Sequence, residues 1–396
     1  MKKISYYALI LLLTFSACKS RSGKGQPETD ALSVAVLRKQ VEEAPLLAGN
    51  VALKEEDFGE LIELKGVHQL FDEGGPIFKL SEPEVLIKDG YFLFQNRPSG
   101  GNVKVNSDGT YVRDQTDGKG LNSFFHWYRL PDFRYVTSMG LQGNGPDEFM
   151  FPHIIQGCGD ATGTYIYENT THKLYATDTT GVLKPILLPL TADENSDYYA
   201  DRQFVMASRD TLYYVDNIRH GKAIFRTFQM KDSVVKEQIY DLSFSKKHRG
   251  WAAYIGDFAM SPSGNRIVYA YKYFRKILVM DKKANVIREL SFDNVGVDSK
   301  DNAKTLGPDN VTYYWGVSAT DEYFFLTYSG RTPLQVGQEN NKGDGYIFVE
   351  QYDWGGNPVA RYRLDHWGNA FTDGKQLYLL SYVYDDPLFI YSLPAK

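Results

Sequence analysis

The residues able to do chemistry are scattered along the chain. The seven histidines (His68, His126, His153, His172, His220, His248 and His366) form no H-x-H, HExxH or Cys/His zinc spacing. No G-x-S-x-G elbow presents a serine nucleophile, and Ser261-Pro262-Ser263-Gly264 reads as a turn. No Gly-Lys-Ser/Thr follows a glycine-rich strand end, and Gly143-x-Gly145 lacks the strand-then-helix setting of a dinucleotide site. The acidic stretches Asp193–Asp197 and Asp293–Asp301 do not space their carboxylates as an EF-hand does. Of the two cysteines, Cys158 lies in the apolar run IIQGCGD and reads as a small buried hydrophobe. The expectation is a protein without catalytic residues, metal or cofactor.

Composition narrows the class. Among 396 residues, Tyr (29) and Phe (23) far outnumber Met (7), which favours pleated surfaces over helices. Lys plus Arg is 44 against Asp plus Glu 49, a net charge of −5 with no long basic run, which argues against nucleic acid as a partner.

Phe258–Leu290 divides into four short strand-like pieces, Phe258–Met260, Arg266–Tyr271, Lys276–Met280 and Val286–Leu290, cut by polar turns. Four strands joined by tight turns make the meander of a propeller blade. Its inner hairpin recurs at Val85–Gln95, Gly157–Tyr167, Phe204–Val215, Val317–Tyr328 and Ala370–Tyr382. The spacing of about 45 to 75 residues suits blade repeats. Outer strands of one unit are visible at Tyr346–Tyr352 and Val359–Leu364. The expected fold is all-β, a six-bladed propeller of four-stranded antiparallel blades, with a β-sandwich as the structural rival. Leu388–Leu393 reads as the third strand of the last blade, so Leu61–Lys65 is expected to supply the fourth from the N-terminal side and close the ring.

Ahead of this domain, Lys2 and Lys3, the apolar Tyr6–Phe15 and the small Ser16-Ala17 have the order of a signal peptide. Phe15-Ser16-Ala17-Cys18 resembles a bacterial lipobox, with Phe15 in place of the usual Leu. The resemblance implies that Cys18 is lipidated and anchors the domain to a membrane. Lys19 resembles the following residue of lipoproteins sorted to the outer membrane. With no acidic export run after Cys18, the periplasmic face is expected. The division is residues 1–17 as signal peptide, 18–57 as lipidated tether with a short helix at Ala31–Glu43, and 58–396 as propeller.

Gly143-Asn144-Gly145-Pro146-Asp147-Glu148-Phe149 resembles the Gly-x-Gly-Pro-x-Glu-Phe/Tyr motif of the TolB-like six-bladed propeller lipoproteins of Bacteroidetes, with Asp147 where that family usually has Gly. Gly143 and Gly145 permit positive φ, Pro146 stiffens the turn, and Glu148 and Phe149 complete a brace between blades. Residues just before each inner strand sit near the mouth of a propeller's channel. His153, Tyr199, Trp251, Tyr254, Trp315, His366 and Trp367 hold such positions, and Tyr271, Tyr273 and Arg275 lie on a loop of the same face. Such a rim suits a sugar, a peptide or another flat ligand; packing between blades is the competing use. The expected function is a monomeric, membrane-anchored, non-enzymatic propeller that binds or scaffolds a protein, peptide or glycan. The alternatives are a gluconolactonase-type hydrolase or lyase with a divalent metal near Asp160, Asp257 or Asn369, and a purely structural envelope component.

Overall fold

Short strands rich in Val, Ile, Phe and Tyr, each stopped by a Gly-, Asp- or Pro-bearing turn, pair with their neighbours in chain order and build six meanders. The structure, a computed structural model, describes residues 49–71, 84–96, 103–105, 111–113, 123–143, 145, 148–186, 204–217, 222–230, 234–244, 250–292, 310–381, 383, 384 and 386–394. Three strands come first, β1 (Gly49–Leu53), β2 (Ile62–Leu64) and β3 (Val67–His68). Blade 1 holds β4 (Val85–Lys88) and β5 (Tyr91–Gln95), a separate hairpin of β6 (Val103–Val105) and β7 (Tyr111–Arg113), then β8 (Ser123–Arg129), β9 (Arg134–Gln142) and β10 (Glu148–Phe149). Blade 2 is β11 (Pro152–Gly157), β12 (Thr164–Glu168), β13 (Lys173–Thr177) and β14 (Lys184–Ile186). Blade 3 is β15 (Phe204–Ser208), β16 (Thr211–Asn217), β17 (Ala223–Gln229) and β18 (Val234–Asp241). Blade 4 is β19 (Gly256–Met260), β20 (Arg266–Tyr271), β21 (Lys276–Asp281) and β22 (Val286–Phe292). Blade 5 is β23 (Thr312–Ala319), β24 (Tyr323–Arg331), β25 (Ile347–Asp353) and β26 (Pro358–Leu364). Blade 6 is β27 (Asn369–Thr372), β28 (Gln376–Leu380) and β29 (Leu388–Ser392). The six-bladed propeller is therefore the fold, and the innermost strands β4, β11, β15, β19, β23 and β27 surround one central channel.

A strand from the N-terminal side closes blade 6, as expected, but it is not the segment expected. Leu61–Lys65 does not complete blade 6: its strand β2 lies parallel to β26 and becomes a fifth strand of blade 5, with Ile62 opposite Tyr362 and Leu64 opposite Leu364. Blade 6 is closed by β3, antiparallel to β29, with His68 opposite Phe389 and Val67 opposite Ile390. Folded structure also starts before Phe58, because β1 lies parallel to β22 from Gly49–Arg288 to Leu53–Phe292. The N-terminal segment is thus a strap that covers the outer edges of three consecutive blades. Covering an edge removes unpaired N–H and C=O groups that would otherwise invite a second chain.

One helix, α1 (Pro333–Lys342), interrupts blade 5 between β24 and β25. Thr332 caps it, accepting the Gln335 N–H at 3.2 Å while the Gln335 side chain accepts the Thr332 N–H at 2.9 Å. Gly343 ends it in the left-handed region at φ 80°. The propeller reading did not include this helix, although its capping pattern is legible in Thr332-Pro333-x-Gln335.

The strap is locked by charge as well as by strand pairing. Glu350 on β25, fully buried, receives the Arg275 guanidinium at 2.9 Å and the Tyr352 hydroxyl at 2.8 Å, with Arg361 Nε at 3.7 Å. Glu55 of the strap pairs with both Arg275 and Arg361. Burial pushes the Glu350 carboxyl up despite Arg275 and the two tyrosine hydroxyls, and burial lowers Arg361 to about 10. Next to this cluster Phe58 packs edge-on to Tyr352, with ring centroids 5.3 Å apart. Replacing Glu350 with Ala leaves the Arg275 guanidinium buried without its internal carboxylate. The expected loss is about 3–5 kcal/mol, read as a lower urea midpoint at unchanged slope.

A second buried group makes stability depend on pH. His126 on β8 is shut off from solvent, with Nδ1 2.6 Å from the Ser138 hydroxyl. Burial, partly opposed by the backbone at Ser123, lowers its pKa to about 4. An unfolded histidine takes up its proton near pH 6.5, so the folded state keeps its full advantage above that pH and loses it as pH falls toward 4. The loss amounts to about 3 kcal/mol. Urea unfolding at pH 7 and pH 4.5 is expected to show a smaller drop for His126→Phe than for the unsubstituted protein; equal drops would refute the assignment.

Candidate functional site at the channel mouth

The channel encloses about 330 Å³ and is lined by all six inner strands. That volume lies at the small end of ligand pockets, enough for one ring or the end of a chain. Its wall is apolar along Val205, Phe258, Val317 and Phe371. Polar side chains gather where the inner strands begin: Glu84, His153, Asn217, Asp257, Lys272 and Asn369. Trp315 joins them from β23.

Local geometry explains why these side chains are held. Glu84 stands just before β4 and reaches across to blade 2, accepting the Ile154 N–H at 2.5 Å and lying 2.6 Å from His153 Nδ1. Gln95 Nε2 adds a bond to the Pro152 carbonyl at 2.8 Å, so blades 1 and 2 are tied at the mouth. Asn217 ends β16, and Lys272 follows β20 with its backbone N–H on the Ile255 carbonyl at 2.9 Å. The Lys272 ammonium rests 5.0 Å from the centre of the Trp315 ring. At the opposite end the turns are laced together. Gly159 donates to the Pro262 carbonyl at 2.8 Å, linking blade 2 to blade 4, and Ser263 N–H donates to Asp321 of blade 5 at 2.8 Å. The Ser261–Gly264 turn is therefore architectural.

Of the ten rim residues expected from the sequence, His153 and Trp315 line the channel. Tyr254 instead stacks on Phe274 with centroids 5.9 Å apart, and Tyr271 donates its hydroxyl to the Leu242 carbonyl at 2.8 Å. Tyr273 and Trp367 are also buried, and Arg275 belongs to the Glu350 cluster. Trp251 packs half-buried against the core between blades 3 and 4. His366 stacks on Phe389 at 3.8 Å, with Nδ1 2.9 Å from Asp365 and Tyr391. Large rings next to a strand start fill the wedge between diverging blades, so six of these seven are packing residues and Arg275 serves the charge cluster. Tyr199 and Cys18 lie outside the described residues. Asp257 and Asn369 line the channel, whereas Asp160 holds the Arg209 N–H at 2.9 Å in the turns at the other end. Cys158 is buried and its thiol is pushed up to about 12 by that burial, the behaviour of a packed hydrophobe.

The glycine motif of blade 1 is a clasp. Glu148 Oε2 accepts the Gly145 N–H at 2.7 Å, and the Gly143 N–H donates to the Phe149 carbonyl at 3.1 Å. Any side chain at position 143 would collide with Glu148, since a Cβ there would lie 1.9 Å from Oε2. Phe149 meets Phe125 of blade 1 at 5.9 Å and Tyr175 of blade 2 at 5.3 Å. Pro146 lies outside the described residues.

Three mouth residues escaped the sequence reading. Glu84 occupies the position before an inner strand that the rim rule names, but the rule sought aromatic residues there. Lys272 lies inside the loop that was singled out, between two tyrosines that turn inward. Asn217, on a second strand, carried no signal. Among the described residues, no three His, Cys, Asp or Glu side chains come together as a metal site would require.

The sequence model of a family described as TolB-like 6-blade propeller-like matches residues 101–373. A member of the DUF4221 family from Bacteroides vulgatus is similar in structure at TM-score 0.50 and 10% identity, over 85% of this chain and 99% of that one. A Bacteroides fragilis protein reaches TM-score 0.49 at 10% identity, over 88% and 99%. At such identity the likeness is one of fold. No curated protein matches in sequence.

The two tryptophans separate packing from binding. Trp367 is 8% exposed and Trp315 is half-buried, their rings meeting edge-on at 5.6 Å. Trp367→Ala is expected to cost about 3–5 kcal/mol, and Trp315→Ala less than half as much, both read by urea unfolding.

Proposed function

Because the chain belongs to the TolB-like six-bladed propeller family, whose inner strands surround a channel, we propose that it is a binding protein of the cell envelope. In this reading it acts as a monomer, held at the periplasmic face of the outer membrane by a lipid on Cys18. It takes the end of a glycan or peptide into the channel mouth and does no chemistry on it. The observation that carries the proposal is the set of polar side chains around a channel of about 330 Å³. A chain end fits that space and a folded partner does not. Rigid inner strands hold the polar groups in place before a ligand arrives, which limits the ordering cost of binding.

A metal-dependent hydrolase or lyase is the competing reading, favoured by Asp257 and Asn369 in the channel wall. Stoichiometric calcium or zinc in the purified protein, together with turnover of a lactone, would replace the binding proposal.

The test uses the full-length protein extracted in detergent from the membrane fraction, from which Cys18→Ala is expected to shift it. Envelope glycan fragments and short peptides are added at millimolar concentration while the melting temperature is recorded. At least one class is expected to raise it, by the linkage of binding to folding, and the Asn217→Ala/Asn369→Ala double variant is expected to abolish the rise. No rise with any compound, or a rise that the double variant retains, refutes the channel mouth as the site.

A further inference from the structure

Which polar groups in the mouth are already engaged decides what else can bind there. Both Glu84 oxygens are used, by His153 and by the Ile154 N–H. Ser318 lies at the far end of the channel, where its Oγ accepts the Thr372 N–H at 3.1 Å, and the Tyr269 hydroxyl donates to the Tyr254 carbonyl at 2.6 Å. Asp257 is engaged as well. Four groups are left. Lys272 has no carboxylate partner among the described residues, and its ammonium is steadied by the Trp315 ring. Asn217 is 4% exposed and its Oδ1 accepts no hydrogen bond among the described residues. The Asn369 amide lines the same cavity. The Trp315 indole N–H has no acceptor among the described residues.

A buried amide oxygen or indole N–H without a partner is unfavourable unless water or a ligand satisfies it. The open set is therefore one cation, two neutral amides and one neutral donor beside an apolar wall. A free amino group would have to share a carboxylate that already has partners, Glu84 with His153 and the Ile154 N–H or Asp257 with its own. A phosphoryl group carries about −1.5 to −2 charges near pH 7, more than the single ammonium of Lys272 offsets. A neutral sugar would satisfy the amides but leave Lys272 unanswered. What satisfies all four is a single carboxylate on a ring that also carries hydroxyls.

We infer that the ligand of this mouth is a carboxylated sugar, a hexuronate residue at the end of an acidic glycan. The inference rests on the binding role proposed above and names its ligand class. Its carboxylate pairs with Lys272, its hydroxyls meet Asn217 and Asn369, and the indole N–H of Trp315 donates to an oxygen of the same ring.

Calorimetric titration of the full-length protein with D-glucuronate, D-glucose and L-alanine tests this. Glucuronate is expected to bind about tenfold or more tightly than glucose, as expected for a hydrogen bond to a charged group. Lys272→Gln is expected to bring glucuronate down to the affinity of glucose while the free protein keeps a cooperative melting transition, since Lys272 holds no ion pair among the described residues. Equal binding of glucose and glucuronate, tighter binding of alanine, or an undiminished affinity in Lys272→Gln would overturn the assignment. The two levels of the reading fail separately. If glucuronate does not bind but other compounds still lose binding in Asn217→Ala/Asn369→Ala, the mouth remains the site and the sugar-acid class falls. If those compounds bind the double variant unchanged, both fall.

Discussion

Glu350 is a carboxylate with no access to water, and three parts of the chain far apart in sequence meet around it. Arg275 comes from the start of the third strand of blade 4, Arg361 from the last strand of blade 5, and Glu55 from the strap. Burial works against the charge on Glu350 more strongly than its partners favour it. Such a cluster adds little net stability compared with an apolar replacement, yet removing one member is severely destabilising. Its role follows from that asymmetry. Only one arrangement of blade 4, blade 5 and strap satisfies every charge, so the cluster selects that arrangement over slipped ones.

Selection of this kind matters in a ring. Each blade packs mainly against its two neighbours, and an error at one seam moves every inner strand. The strap crosses the seams of blades 4, 5 and 6 with three short strands, and its Phe58 packs between Phe292 and Tyr352. The glycine clasp does the corresponding work between blades 1 and 2 through Phe149. With the seams settled, the starts of the inner strands stand at fixed places around the channel. A fixed scaffold is what allows the Glu84–His153 pair and the Lys272–Trp315 contact to form without a ligand.

The candidate site was legible only in part, and the reason is the geometry of diverging sheets. A residue before an inner strand can turn toward the channel or into the wedge between blades, and an aromatic ring has the volume to fill the wedge. Tyr254, Tyr271 and Trp367 went there, and Arg275 followed because a carboxylate waited inside. The smaller polar residues Glu84, Asn217 and Lys272 face the channel instead. Aromatic content therefore marked the right loops and the wrong side chains. Of the nine that are described, only His153 and Trp315 reached the wall.

Local pattern determined the blades. Alternating apolar residues, turn residues at regular intervals and a repeat of about 45 to 75 residues follow from strand and turn chemistry within a few residues, so the six meanders and most strand limits in blades 4, 5 and 6 could be read directly. Tertiary structure alone decided which N-terminal strand closes the ring and where the other two lie. The strands β1, β2 and β3 are two to five residues long, and each pairs with a strand more than two hundred residues away. No nearby sequence encodes such a partner, because the choice depends on which blade edges remain open once the ring has formed. The same holds for the mouth: Lys272, Asn217 and Asn369 share no sequence spacing and come together only when the closed ring brings their blades to one end of the channel.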